Sequence, residues 1–168
     1  ANIYVIRGNV YLRLGKNNLA LDDFTTAANL DSSLIEALLN QGALLGRMGK
    51  YVEAINVYTK IIENNPKNLE ALQGRGNAYR LYGEIEKAIL DHSNWIEYSP
   101  ESAQAFYTRG LDYYEKENFE NAQQDFDQSI QLNPLPYYYF ARGKNYMKLG
   151  KARSALRDFN KALSDEPS

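Results

Sequence analysis

Glycine returns along this chain at a fixed interval, with Gly8, Gly42, Gly76, Gly110 and Gly143 standing 34, 34, 34 and 33 residues apart. Alanine keeps the same beat twelve residues later, at Ala20, Ala54, Ala88, Ala122 and Ala155. Three residues after each glycine stands Tyr11, Leu45, Tyr79, Tyr113 or Tyr146. A self-similar period of this length marks a solenoid, in which each unit buries its apolar face only against its neighbours. Such arrays present extended surfaces and work by binding.

Within one period the hydrophobic spacing is helical twice. Leu38, Gln41, Gly42 and Leu45 form one stripe at steps of three and four, and Gly49 breaks it. Val52, Ala54, Ile55, Tyr58, Ile61 and Ile62 form the second, which stops at Asn64-Asn65-Pro66 because proline cannot continue the ladder. One unit is therefore helix, turn, helix. Pro66, Pro100, Pro134 and Pro167 close units, with Ser32 in that place in the first. Gly15, Gly49, Gly83 and Gly150 end first helices. In the fourth unit Glu117 holds that place, with Lys116 and Glu117 expected to loosen the turn and Asn118 to take it over. The boundaries read as 1–34, 35–68, 69–102, 103–135 and 136–168, one array with a residue missing near Leu135-Pro136 that should tilt the fifth unit. A start at Ala1 and a stop just after the fifth unit lead us to expect a longer parent protein.

Small residues at Gly8 and Ala20 and their equivalents allow close helix contact, beside which Phe24, Tyr58, Phe126 and Phe159 supply rings. With Tyr4, Gly8, Tyr11, Ala20, Phe24 and Ala27 in the first unit, and Tyr139, Gly143, Tyr146, Ala155, Phe159, Ala162 and Pro167 in the fifth, the chain resembles the tetratricopeptide repeat family over essentially its whole length. His92 stands where the family prefers a ring and Trp95 where it prefers alanine, an exchange expected to compensate within one helix pair. The resemblance implies an all-α, right-handed α-α superhelix whose first helices line a concave groove that holds a peptide segment or partner helix.

The repeats also permit an internal comparison of charge. Arg7, Arg75, Arg109 and Arg142 precede the glycine, and Asp23, Asp91, Asp125 and Asp158 follow sixteen residues later. In the second unit Gln41 and Val57 replace both members together. Joint loss points to an Arg–carboxylate contact between the two helices, since removing one partner alone would strand a charge. A row of arginines offered to an acidic ligand is the weaker reading, because the aspartates neutralise it.

Composition excludes several roles. A net charge of −2 supplies no basic surface for nucleic acid. No apolar run approaches the roughly 18 residues of a membrane helix, so no membrane insertion is expected. Without cysteine there are no disulfides, thiolate zinc sites or thiol catalysis, which suits cytoplasm and periplasm equally. His92 is the single histidine and reads as a packed residue, no phosphate loop occurs, and Asp22-Asp23 and Glu84 with Glu86 read as solvated charge. Neither an enzyme nor a cofactor or metal is expected within these residues.

Family positions for the groove select Asn9, Asn40, Asn77 and Arg80 in the amino-terminal half, with Val5 among the same places. In the carboxy-terminal half they select Tyr107, Thr108, Tyr114, Tyr137, Phe140, Lys144 and Lys148. Asparagine amides complement a peptide main chain, aromatic side chains anchor apolar groups, and the lysines favour acidic residues. The carboxylate clamp of chaperone-binding members is not reproduced, because Val5, Asn9, Asn40, Glu70 and Gly74 occupy its places. The expected function is a protein-interaction scaffold. Its alternatives are self-association through the uncovered last helix, around Leu156, Phe159 and Leu163, and a regulatory module of a longer enzyme or receptor.

Overall fold

The computed structural model describes residues 1–164; Pro167, expected to close the fifth unit, lies outside the described residues. Among them every regular element is an α-helix: α1 Asn2–Arg13, α2 Asn17–Leu30, α3 Ile35–Arg47, α4 Tyr51–Asn64, α5 Leu69–Tyr82, α6 Ile85–Tyr98, α7 Ala103–Glu115, α8 Phe119–Leu132, α9 Pro136–Lys148 and α10 Ala152–Ser164. The chain divides into two compact units, Ala1–Glu84 and Ile85–Ser168. In the first, α1 packs on α2, α3 on α2 and α4, and α5 on α4. In the second, α6 packs on α7, α7 on α8, α8 on α9 and α9 on α10.

The glycines sit where a ring crosses a first helix. A Cβ on Gly8 would lie 2.7 Å from the Phe24 ring, one on Gly42 2.8 Å from Tyr58, one on Gly110 2.8 Å from Phe126, and one on Gly143 2.6 Å from Phe159. Phe24 and Phe126 are wholly buried, as are Ala20, Ala54, Ala122 and Ala155 on the second helices. Close packing thus accounts for the beat of small residues and rings together. Tyr58 also presses on Gly74 of α5, and burial, with the negative charge of Glu70 beside it, pushes its hydroxyl pKa up to about 12.

Three of the four Arg–Asp pairs fall inside one of the two compact units, and all three form fork-to-fork. Arg7 Nε and Nη2 donate to Asp23 at 2.8 and 2.7 Å, Arg109 to Asp125 at 2.8 and 2.8 Å, and Arg142 to Asp158 at 2.7 and 2.9 Å. Asp23 is therefore buried in a pair, correcting its reading as solvated charge. Each guanidinium also lies between two rings, Arg142 for example at 5.6 Å from Tyr139 and 5.7 Å from Tyr146.

The remaining nitrogen reaches the preceding second helix. Arg75 Nη1 donates to Thr59 Oγ1 at 3.1 Å, Arg109 Nη1 to Ser93 Oγ at 3.2 Å, and Arg142 Nη1 to Asp127 Oδ1 at 2.8 Å. Even Gln41, which lacks the charge, donates Nε2 to Thr25 Oγ1 at 2.8 Å. These side chains staple one helix pair to the pair before it.

The turn after α7 departs from expectation. Asn118 N–H donates to Tyr113 C=O at 2.9 Å, as Lys16 does to Tyr11 and Lys50 to Leu45, both at 2.9 Å, so the turn is not loosened. Glu117 itself takes the left-handed conformation, φ 60°, beside φ of 69–94° at Gly15, Gly49, Gly83 and Gly150. Asn118 instead caps α8, its side chain accepting from Asn121 N–H. Because a left-handed non-glycine residue costs about 1–2 kcal/mol, Glu117→Gly should raise stability by about 1 kcal/mol, read as a shift in the denaturation midpoint. The missing residue falls in the connection between α8 and α9, residues 133–135, where Pro136 opens α9.

His92 is fully buried, and its Nδ1 meets Asp112 Oδ2 at 2.5 Å, both side chains without solvent exposure. Asp112 stands two residues after Gly110, where the second unit has Leu44. A ring and an aliphatic side chain have been exchanged for a hydrogen-bonded polar pair. The compensation for His92 thus comes from α7 as well as from Trp95, whose ring centroid lies 6.3 Å away.

Candidate functional site

The candidate residues all lie on first helices: Asn9 on α1, Asn40 on α3, Asn77 and Arg80 on α5, Tyr107 and Tyr114 on α7, and Tyr137, Phe140, Lys144 and Lys148 on α9. Asn9, Asn40, Asn77, Arg80, Tyr107 and Tyr114 are half-buried, whereas Tyr137, Phe140, Lys144 and Lys148 are exposed. Val5 and Thr108 do not belong to an exposed face. Val5 packs with Phe24 in the core, and Thr108 is buried with its hydroxyl donated to Gln104 C=O at 2.7 Å.

Two groups of these residues come together, one in each compact unit. In the first, Asn40 and Asn77 line a shallow cavity of about 330 Å³ with Glu70, Gln73, Gly74 and Tyr58. Gly74 keeps it open, since any side chain there would run into the Tyr58 ring. The lining offers three amides, one carboxylate and a tyrosine. Asn9, Arg80 and Lys148 line neither this cavity nor the one in the second unit.

In the second unit Tyr107, Leu111, Tyr114, Phe140, Ala141 and Lys144 surround a cup of about 90 Å³ whose floor is Phe126. Ordinary helix spacing builds it: Tyr107, Leu111 and Tyr114 follow one face of α7, and Phe140, Ala141 and Lys144 one face of α9. Lys144 Nζ stands 5.6 Å from the Tyr114 ring centroid and 5.9 Å from that of Phe140. The ammonium is thereby held at the mouth by two ring faces.

Tyr107 is wall rather than free anchor. Its ring meets Phe126 at 6.1 Å, Tyr137 at 5.2 Å and Tyr138 at 4.8 Å between centroids. Gln104 Oε1 accepts from the hydroxyls of both Tyr137 and Tyr138, at 3.2 and 3.3 Å, and so fixes two rings of the Tyr137-Tyr138-Tyr139-Phe140 run. Tyr138 is buried, and burial raises its hydroxyl pKa. Tyr137 and Phe140 also border an open depression with Pro136, Phe159, Ala162 and Leu163. Neither Gln104 nor Phe126 was found by counting exposed groove positions. The sixteen-residue step from Gly110 that places the Phe126 ring under α7 was the available signal for the floor.

Among the described residues no group of three or more histidines and acids is placed to hold a metal ion, and no helix is long and apolar enough to cross a membrane.

Tetratricopeptide repeat models match residues 1–34, 36–68, 57–90, 103–135 and 136–168. The chain belongs to the tetratricopeptide repeat family, and protein-interaction scaffolding in general, ordinarily without catalysis, is the role that goes with it. Comparison with curated proteins gives no match. Among solved structures, MamA from Desulfovibrio magneticus RS-1 is 22% identical with a TM-score of 0.87, over 97% of this chain and 93% of that one. A further MamA structure is 24% identical with a TM-score of 0.83, over 94% and 92%. A thermophilic tetratricopeptide repeat protein of Thermus thermophilus is 22% identical with a TM-score of 0.80, over 99% and 92%. At these identities the likeness is one of fold.

Proposed function

We propose that the five repeats make one scaffold whose first helices bind an extended or helical segment of another protein, anchored in the cup on α7 and α9. The observation that carries this reading is Lys144 held between Tyr114 and Phe140 above an apolar floor. An apolar side chain entering the cup leaves water, while a neighbouring carboxylate of the ligand pairs with Lys144 and Lys148. Since one water occupies about 30 Å³ of liquid, a cup of about 90 Å³ takes one aliphatic side chain rather than a large ring. Asn40, Gln73 and Asn77 present amides to a ligand main chain and choose little among sequences. Arg80 and Asn9 lie on first helices outside both clusters and contribute less.

The test is selection of peptides on the intact protein, followed by titration calorimetry with variants. Selected ligands should carry an aliphatic residue next to an acid. Tyr114→Ala and Phe140→Ala should each weaken binding by about 1–2 kcal/mol with helicity unchanged, well beyond the effect of Asn9→Ala. Lys144→Gln should cost less, and its effect should fade at high salt. Crosslinks confined to the second helices, at Lys60 or Lys87, would place the working surface elsewhere.

A further inference from the structure

A cleft of about 820 Å³ is lined by α2, α3, α4 and the connection between α2 and α3, all inside the first compact unit. That volume lies within the roughly 300–1,000 Å³ of ligand pockets. Ala28, Leu38, Val57 and Ile61 give it an aliphatic floor, Val57 and Ile61 buried and the other two half-buried. Amides surround this floor, Gln41 half-buried and Asn29, Asn64 and Asn65 exposed. The cleft shares no residue with the cup on α7 and α9 or with the cavity at Asn40 and Asn77.

Its lining departs from the pattern of the repeat. Where α2 has Ala28, the next three second helices have Ile62, Ile96 and Ile130. Where α3 has Leu38, α7 and α9 have Phe106 and Tyr139. Gln41 and Val57 stand where Arg109 forks to Asp125 and Arg142 to Asp158, each guanidinium lying over the ring of Phe106 or Tyr139. Three shorter side chains and one uncharged one thus meet at a single place. They leave open a space that larger groups occupy in the other repeats, so the cleft belongs to this stretch of sequence and not to the fold in general.

The polar groups define what fits. Gln41 spends one N–H on Thr25 Oγ1 at 2.8 Å, and Asn64 spends one on Lys60 C=O at 2.8 Å. Each keeps a second N–H and an amide oxygen, a donor and an acceptor that complement a peptide unit. The charged side chains of the lining are Lys60 and Glu63, of opposite sign and one turn apart on α4, so the cleft carries no net charge and suits an uncharged ligand. From Val57 to Asn64 the helix rises about 10 Å, the length of about three residues of extended chain. In such a segment the first and third side chains point to one face, here the aliphatic floor.

We propose that this cleft is a second binding site of the chain, for an extended, uncharged peptide segment with aliphatic side chains at alternate positions. The aliphatic pair leaves water over Leu38, Val57 and Ile61, and the main chain between them bonds to the amides of Gln41, Asn29 and Asn64. The site differs from the cup in elements and in ligand, taking no acid and no lysine contact, so either proposal can fail while the other stands.

Nuclear magnetic resonance titration of the isotope-labelled intact protein tests it, with the blocked peptide acetyl-Ala-Val-Ala-Val-Ala-amide as probe and circular dichroism verifying that each variant stays folded. The side-chain amide signals of Gln41, Asn29 and Asn64 should shift saturably. Ala28→Ile should weaken binding about tenfold or more by filling the cleft. The double change Gln41→Arg with Val57→Asp should do the same, and both variants should fold, because they install what the other repeats carry. Methylating the peptide's central amide nitrogens should also weaken binding about tenfold, since the main-chain bonds are then lost. Tyr114→Ala should leave the titration unchanged. Absence of a saturable shift would overturn the proposal, as would undiminished binding in Ala28→Ile. Decanoate binding as tightly as the peptide would also overturn it, by showing that the cleft takes aliphatic area without peptide groups. Binding lost in Tyr114→Ala but kept in Ala28→Ile would place the probe in the cup and overturn the second site alone.

Discussion

Truncation of Phe126 to alanine is expected to cost about 3–5 kcal/mol, the largest effect of any single side chain considered, because the ring is wholly buried and its loss leaves a cavity beneath α7. The hole would be bounded by Gly110, which has no side chain to collapse into it, and by Tyr107, whose own ring is braced by Tyr137 and Tyr138. Gly110→Ala is expected to destabilise too, by about 1–3 kcal/mol, since its Cβ would lie 2.8 Å from the Phe126 ring. That outweighs the helix propensity of up to about 1 kcal/mol that alanine would otherwise add. With Phe126→Leu in the background the clash is relieved, and Gly110→Ala should cost less there than in the unaltered chain. Chemical denaturation reads the total, and hydrogen exchange should show the loss concentrated in α7 to α9, because repeat units feel only their neighbours. Strict additivity of the two changes would mean that the glycine and the ring do not share one space.

Breaking the Arg109–Asp125 fork comes next. Asp125→Leu is expected to cost about 2–3 kcal/mol, below the roughly 3–5 kcal/mol of a fully buried pair because the Arg109 side chain keeps some contact with water. Arg109→Met should cost at least as much, since the guanidinium also donates to Ser93 and ties α7 to α6. The double change should recover part of the loss, as the uncharged Gln41 and Val57 of the second unit show a helix pair without the charges. Recovery should stay incomplete, because methionine cannot replace the bond to Ser93. A double-mutant cycle with no coupling would mean the fork contributes nothing beyond its separate side chains.

The arginine comparison shows how far the sequence reaches. Loss of both charges together in the second unit pointed correctly to the contact between Arg and Asp sixteen residues apart. It did not point to the third bond, because the acceptors Thr25, Thr59, Ser93 and Asp127 differ in side chain and leave no repeated letter. Similarly, the glycine pattern marked every first-helix turn except that of the fourth unit. There the backbone hydrogen bonds impose the left-handed residue on Glu117 against its preference.

For the candidate site, groove positions carried over from the family resemblance selected Tyr107, Tyr114, Phe140 and Lys144, and the structure gathers those four around one cup. The same counting also selected Val5 and Thr108, which are buried, and gave no sign that Asn40 and Asn77 share a cavity while Asn9 stands apart.

What the sequence alone determined is the repeat, the helices and the residues that meet within one helical hairpin. Helical period and the pairing of small residues with rings are properties of a single unit, and they recur often enough to be read. Only the tertiary structure decided the rest: that Asp112 satisfies His92, that Phe126 floors a cup walled by two other helices, and that the third guanidinium bond reaches the preceding second helix. Each depends on which side chain of one hairpin lies opposite which of the next. That register comes from packing between helices, where residues of different chemistry fill the same place.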